Sequence, residues 1–183
     1  MTPEKCLTGT DRLWEAVEAG SINSPIIVNV QGDEPLVQAQ AIRAVIDAKR
    51  ETPGCVINAM SRIDVLDDVA SENVPKVVTD ERGHLAYMSR APVPFIRDSG
   101  AEASHYRQVC IYAFSRNELK AFGSRPTKSR MEGPEDIEIL RFLDIGIPVR
   151  IVEVAPASVA VDSPEDIRRV ERILKESKAL EST

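Results

Sequence analysis

Short apolar runs rich in β-branched residues alternate with helix-compatible segments along this 183-residue chain. Residues 25–30 have the composition of a strand that is buried on both faces, and residues 38–50 carry apolar side chains at helical spacing. Residues 55–60 form the next strand-like run. Because helices between strands require crossover connections, this order favours a parallel sheet. The pattern predicts an α/β fold with a mostly parallel sheet.

The middle of the chain follows a different pattern. Residues 76–80 and 84–88 are strand-like, and a short segment that contains Gly83 separates them, which predicts a β-hairpin. Pro92 and Pro94 then exclude a helix, so the hairpin leads into an extended segment. We expect one domain over residues 1–174, with a hairpin lobe at about 74–114 and a polar tail at 175–183.

The remaining elements are predicted from apolar spacing and from cap residues. Residues 11–19 and 133–143 have helical spacing, whereas residues 108–114, 148–154 and 159–161 are strand-like. A last helix is expected to begin at Ser163, which is a good N-cap and precedes a proline.

Charge and hydropathy exclude several classes of partner. The formal net charge is −6, and a nucleic-acid partner requires a surplus of Lys and Arg. No apolar run approaches the roughly 20 residues that cross a bilayer. Residues 1–10 lack the apolar segment of a signal peptide. We therefore expect a cytoplasmic protein that binds neither nucleic acid nor membrane.

Two acidic residues follow predicted strands directly. Asp33 comes just after the strand of residues 25–30, and Asp162 comes just after that of residues 159–161. Ligands of α/β sheets gather outside the carboxyl ends of strands, and Mg²⁺ prefers carboxylates together with phosphate oxygens. The pair is a candidate metal site. The alternative is that each acid belongs to a turn or precedes a helix cap.

Two further segments are candidates for ligand contacts. Residues 8–12 form a turn into a helix N-terminus, where N–H groups and hydroxyls can bind the polar edges of a nucleotide; an ordinary helix cap is the alternative. Arg90 leaves the hairpin at a constrained turn, where its guanidinium could bind a substrate carboxylate through two hydrogen bonds. A solvated arginine on an edge strand is the alternative there.

Taken together, these segments resemble the CMP-KDO synthetases, the 3-deoxy-manno-octulosonate cytidylyltransferases. The likeness is carried by residues 27–35 (IVNVQGDEP), which are close to the family's signature strand and loop. Four other matching segments follow the family's order: residues 8–12, residues 76–78 with 87–91, residues 111–112 and residues 161–166.

The resemblance implies a Rossmann-like nucleotidyltransferase layer with a hairpin lobe that commonly mediates homodimers. It also implies a transferase reaction in which the anomeric hydroxyl of KDO, or of a related 2-keto sugar acid, attacks the α-phosphate of CTP. The products are a CMP-sugar and pyrophosphate. The transfer of CMP activates the sugar for incorporation into lipopolysaccharide or capsule.

The resemblance also assigns roles to individual residues. Asp33 and Asp162 would hold Mg²⁺, and Arg90 would join them at the catalytic centre. The residues that would lie by the nucleotide are Thr8, Gly9, Thr10, Asp11, Arg12 and Gln31. Those that would line the sugar pocket are Arg90, Gln108, Tyr112 and Glu138.

Three departures from the family pattern shape the expectations. The family's first strands and its phosphate-binding loop have no counterpart in this sequence, so a truncated form is expected. Gln108 stands where the family usually has His, with Cys110 at the position of a Gly. Ile139 stands where the family has Gln, which suggests a related sugar acid. The alternative to an enzyme is a catalytically incomplete homologue that acts as a folded partner.

Overall fold

The computed structural model describes residues 2–4, 6–32, 35–98, 104–155, 161, 167–168 and 170–175. Its elements follow in the order α1 (Gly9–Glu18), β1 (Ile27–Val30), α2 (Ala39–Glu51), β2 (Val56–Arg62), α3 (Leu66–Ala70), β3 (Lys76–Thr79), β4 (Leu85–Ser89), β5 (Tyr106–Phe114), α4 (Arg116–Gly123), α5 (Glu132–Glu135), α6 (Leu140–Asp144) and β6 (Val149–Glu153). Residues 167, 168 and 170–175 are also helical.

The long strand β5 organises the sheet. One of its edges pairs with β2, which pairs in turn with β6. The other edge pairs with β1 near the end of β5, where Val30 lies opposite Ile111, and with β3 near its start, where Lys76 lies opposite Arg107. β4 extends the sheet beyond β3. One strand therefore connects the hairpin lobe to the rest of the sheet.

The α/β class is confirmed, but the expected mostly parallel pairing is wrong for the described strands. Among them, β2 and β6 form the one parallel pair, and β5 is antiparallel to β1, β2 and β3. The strands β1, β2, β3 and β6 nevertheless run in the same direction. The structure confirms the predicted hairpin as β3 and β4, and this hairpin reverses the direction of the chain. β5 keeps the reversed direction, and it therefore runs antiparallel to the other four strands.

Alternate residues of β5 build the two cores. Val109, Ile111 and Ala113 face α2 and pack with Val45 and Ala48. On the opposite face, Tyr112 and Phe114 belong to the core that α1, α4 and α6 cover. There the ring centroids of Phe114 and Phe142 lie 5.6 Å apart, and those of Phe122 and Phe142 lie 5.0 Å apart. The two-residue period of a strand produces this division.

The predicted helix over residues 133–143 is broken. α5 ends at Glu135, and Asp136 adopts a left-handed conformation with φ 52° while its N–H donates to Glu132 O over 2.8 Å. The left-handed residue redirects the chain, so that Ile137 enters the core and α6 begins only at Leu140. Apolar spacing alone did not indicate this turn.

Two helices were missed, and two predicted elements fall largely outside the described residues. The sequence signal for α4 is the capping box of Ser115 and Glu118, whereas α3 has no side-chain cap. Most of the predicted strand at residues 159–161 and the predicted helix start at Ser163 lie outside the described ranges. In the part that the structure describes, no helix is long and apolar enough to cross a bilayer.

The packing of α4 on α1 gives a direct test of the fold. A Cβ atom at Gly123 would overlap the Trp14 indole, 2.7 Å from Nε1 and closer still to two ring carbons. We expect Gly123→Ala to lower the free energy of unfolding by about 1–3 kcal/mol, as measured by urea denaturation. Gly54→Ala is the matched control, because a Cβ there meets nothing within 4 Å. Equal effects of the two substitutions would contradict the α1–α4 packing.

Candidate active site

The N-terminus of α1 forms one wall of the candidate site. Thr8 is its N-cap: its hydroxyl accepts from the Asp11 N–H over 3.1 Å and donates to Asp11 Oδ2 over 2.9 Å. Thr10 lies in the first turn and is 1% exposed. The predicted turn of residues 8–12 is thus a capped helix start, where the aligned backbone dipoles of α1 produce a partial positive charge.

Glu138 joins this helix start to the end of β1. Its Oε2 accepts from the Thr10 N–H and its Oε1 accepts from Gln31 Nε2, each over 2.9 Å. Gly9 lies at the same contact, since a Cβ there would be 3.5 Å from Gln31 Nε2. Gln31 directly follows β1. The structure therefore brings together predicted site residues that are more than 100 positions apart in sequence.

The environment of Glu138 favours its protonated form. Burial of the carboxyl group raises the pKa of Glu138, and the hydrogen bonds from Thr10 and Thr8 oppose this rise without cancelling it. The nearby Asp11 carboxylate raises the pKa further. Glu138 is thus a partly buried acid with a raised pKa at the positive end of a helix.

Asp11 is held by a buried arginine. Arg141 NH1 donates to Asp11 Oδ1 over 2.8 Å, while its Nε and NH2 each donate to a Glu132 oxygen over 2.6 Å. The guanidinium carbon lies 3.7 Å from the centroid of the Phe122 ring. Arg141 and Glu132 are both fully buried. Asp11 therefore anchors the helix start, whereas Arg12 lies at the surface and donates to Thr2 Oγ1 over 3.0 Å.

Arg90 lies where β4 meets the end of α5. Its Nε donates to Glu135 O over 2.6 Å, NH1 donates to Glu72 O over 2.8 Å and NH2 donates to Asp136 O over 3.3 Å. Asp136 is two residues before Glu138, so a short segment connects Arg90 to the α1 side of the site. Its expected contact with a substrate stays a prediction.

Gln108 and Tyr112 lie on β5, on the face of the sheet that α1 covers. Gln108 Nε2 donates to Asn58 Oδ1 over 3.1 Å and to Tyr112 Oη over 3.3 Å. Asn58 in turn donates to the carbonyl oxygens of Val109 and Ile111. Gln108 is 8% exposed and Tyr112 is 2% exposed. Their predicted role in sugar binding is neither supported nor contradicted by these contacts.

The two predicted metal ligands, Asp33 and Asp162, lie outside the described residues. The neighbours that the structure describes are Gly32, which follows Gln31 past the end of β1, and Val161. Within the described ranges, no group of three His, Cys, Asp or Glu side chains could hold a metal ion.

Sequence reasoning missed the charged residues that support the site. They are Lys76, Glu132, Glu135 and Arg141. A signal for three of them exists, because acids recur at every third position from Glu132 to Glu138 and Arg141 follows at the same interval.

Similarity to known proteins extends over nearly the whole chain. Residues 1–173 match the family model for cytidylyltransferases. A 3-deoxy-manno-octulosonate cytidylyltransferase from Solibacter usitatus is 39% identical over 178 residues, covering 97% of this chain and 69% of that protein. A protein of the same name from Geobacter sulfurreducens is 40% identical over 186 residues, covering 96% of this chain and 73% of the other.

Solved structures agree with these relatives. The structure of a CMP:2-keto-3-deoxy-manno-octonic acid synthetase complexed with CTP is 30% identical, with a TM-score of 0.86 over 97% of this chain and 72% of that chain. An inositol-1-phosphate CTP transferase from T. maritima is 16% identical with a TM-score of 0.60 over 88% of this chain and 58% of that chain, a likeness of fold alone.

The raised pKa of Glu138 has a consequence for stability. A carboxyl group whose pKa is higher in the folded state contributes stability below its unfolded pKa and loses that contribution as the pH rises through the folded pKa. Glu138→Gln carries no such charge. We therefore expect Glu138→Gln to gain stability relative to the unsubstituted protein when the pH is raised from 5 to 8. Urea denaturation at the two pH values measures this difference in the free energy of unfolding.

The matched control for this experiment is Glu81→Gln, which removes a carboxylate from the exposed hairpin turn. A change between pH 5 and pH 8 no larger than that of the control would contradict the environment described for Glu138.

Proposed function

This chain belongs to the cytidylyltransferase family, and we infer that it transfers CMP from CTP to 3-deoxy-manno-octulosonate (KDO) with release of pyrophosphate. The observation that carries this inference is similarity along 97% of the chain to an enzyme of that name and to the synthetase solved with CTP. The same extent of similarity disfavours the alternative of a catalytically incomplete homologue.

The geometry of the described residues supports a nucleotide site at the end of β1. The N–H groups and hydroxyls at the start of α1 and the amide of Gln31 lie beside each other there. Transfer of a nucleotidyl group depends on aligning the attacking hydroxyl, the α-phosphorus and the departing pyrophosphate. The partial positive charge at this helix start favours nearby anionic oxygens, while the N–H groups of Thr10 and Asp11 bind Glu138 and Thr8.

Magnesium is part of the same proposal, with Asp33 and Asp162 as its ligands. The carboxylates that the structure describes at this rim are already occupied, Asp11 by Arg141 and Glu138 by Thr10 and Gln31. Asp33 follows Gly32 just beyond β1, where a carboxylate can reach a triphosphate. When bound, Mg²⁺ would neutralise phosphate charge.

The sugar acid is proposed to lie between Arg90 and the Gln108–Tyr112 pair, with Glu138 at the nucleotide side. Ile139 does not argue for a different sugar acid. Its side chain is 1% exposed and belongs to the core under α1 and α6. The isoleucine is therefore accounted for by apolar packing rather than by a changed sugar contact.

The proposed homodimer forms through the hairpin lobe, with exposed apolar side chains of that lobe and of α3 at the interface. Phe95 is 83% exposed and Leu66 is 85% exposed. Their segments are adjacent, because His105 Nε2 contacts Pro94 O over 3.1 Å and the Ile63 N–H donates to His105 O over 2.9 Å. Exposed large apolar side chains on adjacent segments favour a protein partner. We also propose a cytoplasmic location, where CTP is present.

A coupled assay of pyrophosphate release tests the reaction. With CTP, KDO and Mg²⁺ we expect release that depends on both organic substrates, and CMP-KDO as the co-product detected by mass spectrometry. A folded protein that binds CTP yet releases no pyrophosphate on addition of KDO would contradict the proposed function.

The metal assignment is tested by Asp33→Asn and Asp162→Asn. Each substitution removes one anionic ligand, so we expect weaker Mg²⁺ binding by isothermal titration in the presence of CTP, with little change in thermal unfolding. Asp47→Asn is a matched control on the exposed face of α2, where Asp47 pairs with Arg50. Unchanged Mg²⁺ affinity in both variants would remove these residues from the site.

The dimer surface is tested by Phe95→Ser. We expect the molar mass from light scattering to fall from that of two chains to that of one. Phe95 is largely exposed, so the fold should tolerate the change. A monomeric unsubstituted protein, or a dimer that Phe95→Ser leaves intact, would contradict this interface.

A further inference from the structure

Arg90 is held through both its backbone and its side chain. Its N–H donates to Glu135 Oε2 over 2.9 Å, and its carbonyl oxygen accepts from Lys76 Nζ. Its Nε donates to the carbonyl of the same Glu135 over 2.6 Å. Few surface arginines are constrained at so many points, since the side chain normally retains several rotamers.

Glu135 fixes the exit of β4 with both carboxylate oxygens. Oε1 accepts from Ser89 Oγ over 2.7 Å and from Tyr87 Oη over 3.5 Å, whereas Oε2 accepts from the Arg90 N–H. The Ser89 hydroxyl also accepts from the Ala91 N–H over 3.0 Å. One acid therefore orders the residues on each side of Arg90 and Arg90 itself.

The guanidinium keeps capacity for a ligand. It has five N–H donors, and the three hydrogen bonds that it makes to Glu135, Glu72 and Asp136 all end on neutral carbonyl oxygens. Within the described part of the chain the other two N–H groups make no hydrogen bond, so they can bind an anion. Lys76 is fully buried and its Nζ donates to the carbonyl oxygens of Ser71 and Arg90. Burial together with the charge of Arg90 lowers the pKa of Lys76, while Glu135 raises it.

We propose that Glu135 is a positioning residue for sugar-acid recognition: it holds Arg90 so that the two remaining guanidinium N–H groups face the substrate carboxylate. This inference rests on the proposed function, because it takes KDO as the acceptor. Glu135 itself does not touch the substrate. Its effect is to reduce the conformational entropy that Arg90 would otherwise lose on binding.

The test compares KDO with its methyl ester, which lacks the negative charge that Arg90 would bind. For Glu135→Ala, we expect KM for KDO to rise about ten- to a hundredfold, as for loss of a charged hydrogen bond. KM for CTP should change by less than about twofold, because the nucleotide contacts lie at α1 and Gln31. The ratio of kcat/KM for KDO to kcat/KM for its methyl ester should fall towards the ratio measured for Arg90→Met.

Further variants separate positioning from a general loss of structure. Glu135→Gln keeps an acceptor for the Arg90 N–H and should recover part of the lost preference. The double variant with Arg90→Met should be no worse than Arg90→Met alone, because Glu135 acts through Arg90. Glu81→Gln, in the exposed hairpin turn, is the matched control and should keep the unsubstituted preference.

Each outcome decides the proposal. An unchanged preference in folded Glu135→Ala, or additive losses in the double variant, would overturn it while leaving the proposed function intact. Failure of the unsubstituted protein to use KDO would overturn both. Should Glu135→Ala not fold by circular dichroism, Ser89→Ala, which removes the donor of the 2.7 Å hydrogen bond, takes its place with the same expected direction.

Discussion

The buried guanidinium of Arg141 is the interaction on which the candidate site depends. A charge removed from water is tolerated only when paired, and Arg141 pairs with Glu132 through two hydrogen bonds and with Asp11 through a third. Removing one partner from such a cluster typically costs about 3–5 kcal/mol. Because Asp11 belongs to the first turn of α1, this cluster fixes the helix start against the segment that carries Glu135 and Glu138.

The segment from Glu132 to Arg141 contacts the start of α1, the residue after β1 and the exit of β4. Glu135 orders Arg90 at the hairpin lobe, and Glu138 contacts Thr10 and Gln31 at the nucleotide side. The left-handed turn at Asp136 makes this possible, because a continuous helix would keep these acids along one stripe. The break allows the acids to reach elements that lie apart on the sheet.

The sequence predicts the sheet layer and the hairpin better than it predicts the site's support. Short apolar runs and helical spacing predict α1, β1, α2 and β2 closely, and the resemblance identifies Thr10, Gln31 and Glu138, which the structure brings into contact. The direction of β5 and the turn at Asp136 were not predicted, since both depend on tertiary packing. The partners of Arg141 and Arg90 were not predicted, because a charged residue in a sequence indicates a solvent or ligand contact more readily than an internal hydrogen-bond partner.

Hydrogen–deuterium exchange with and without ligands measures most directly whether these elements form a single site. With CTP and Mg²⁺, the account predicts slower exchange of backbone amides at residues 8–12 and in the segment after β1, and with KDO added, slower exchange at residues 87–91 and 135–138. Protection confined to the opposite face of the sheet, around α2 and the end of β6, would contradict it.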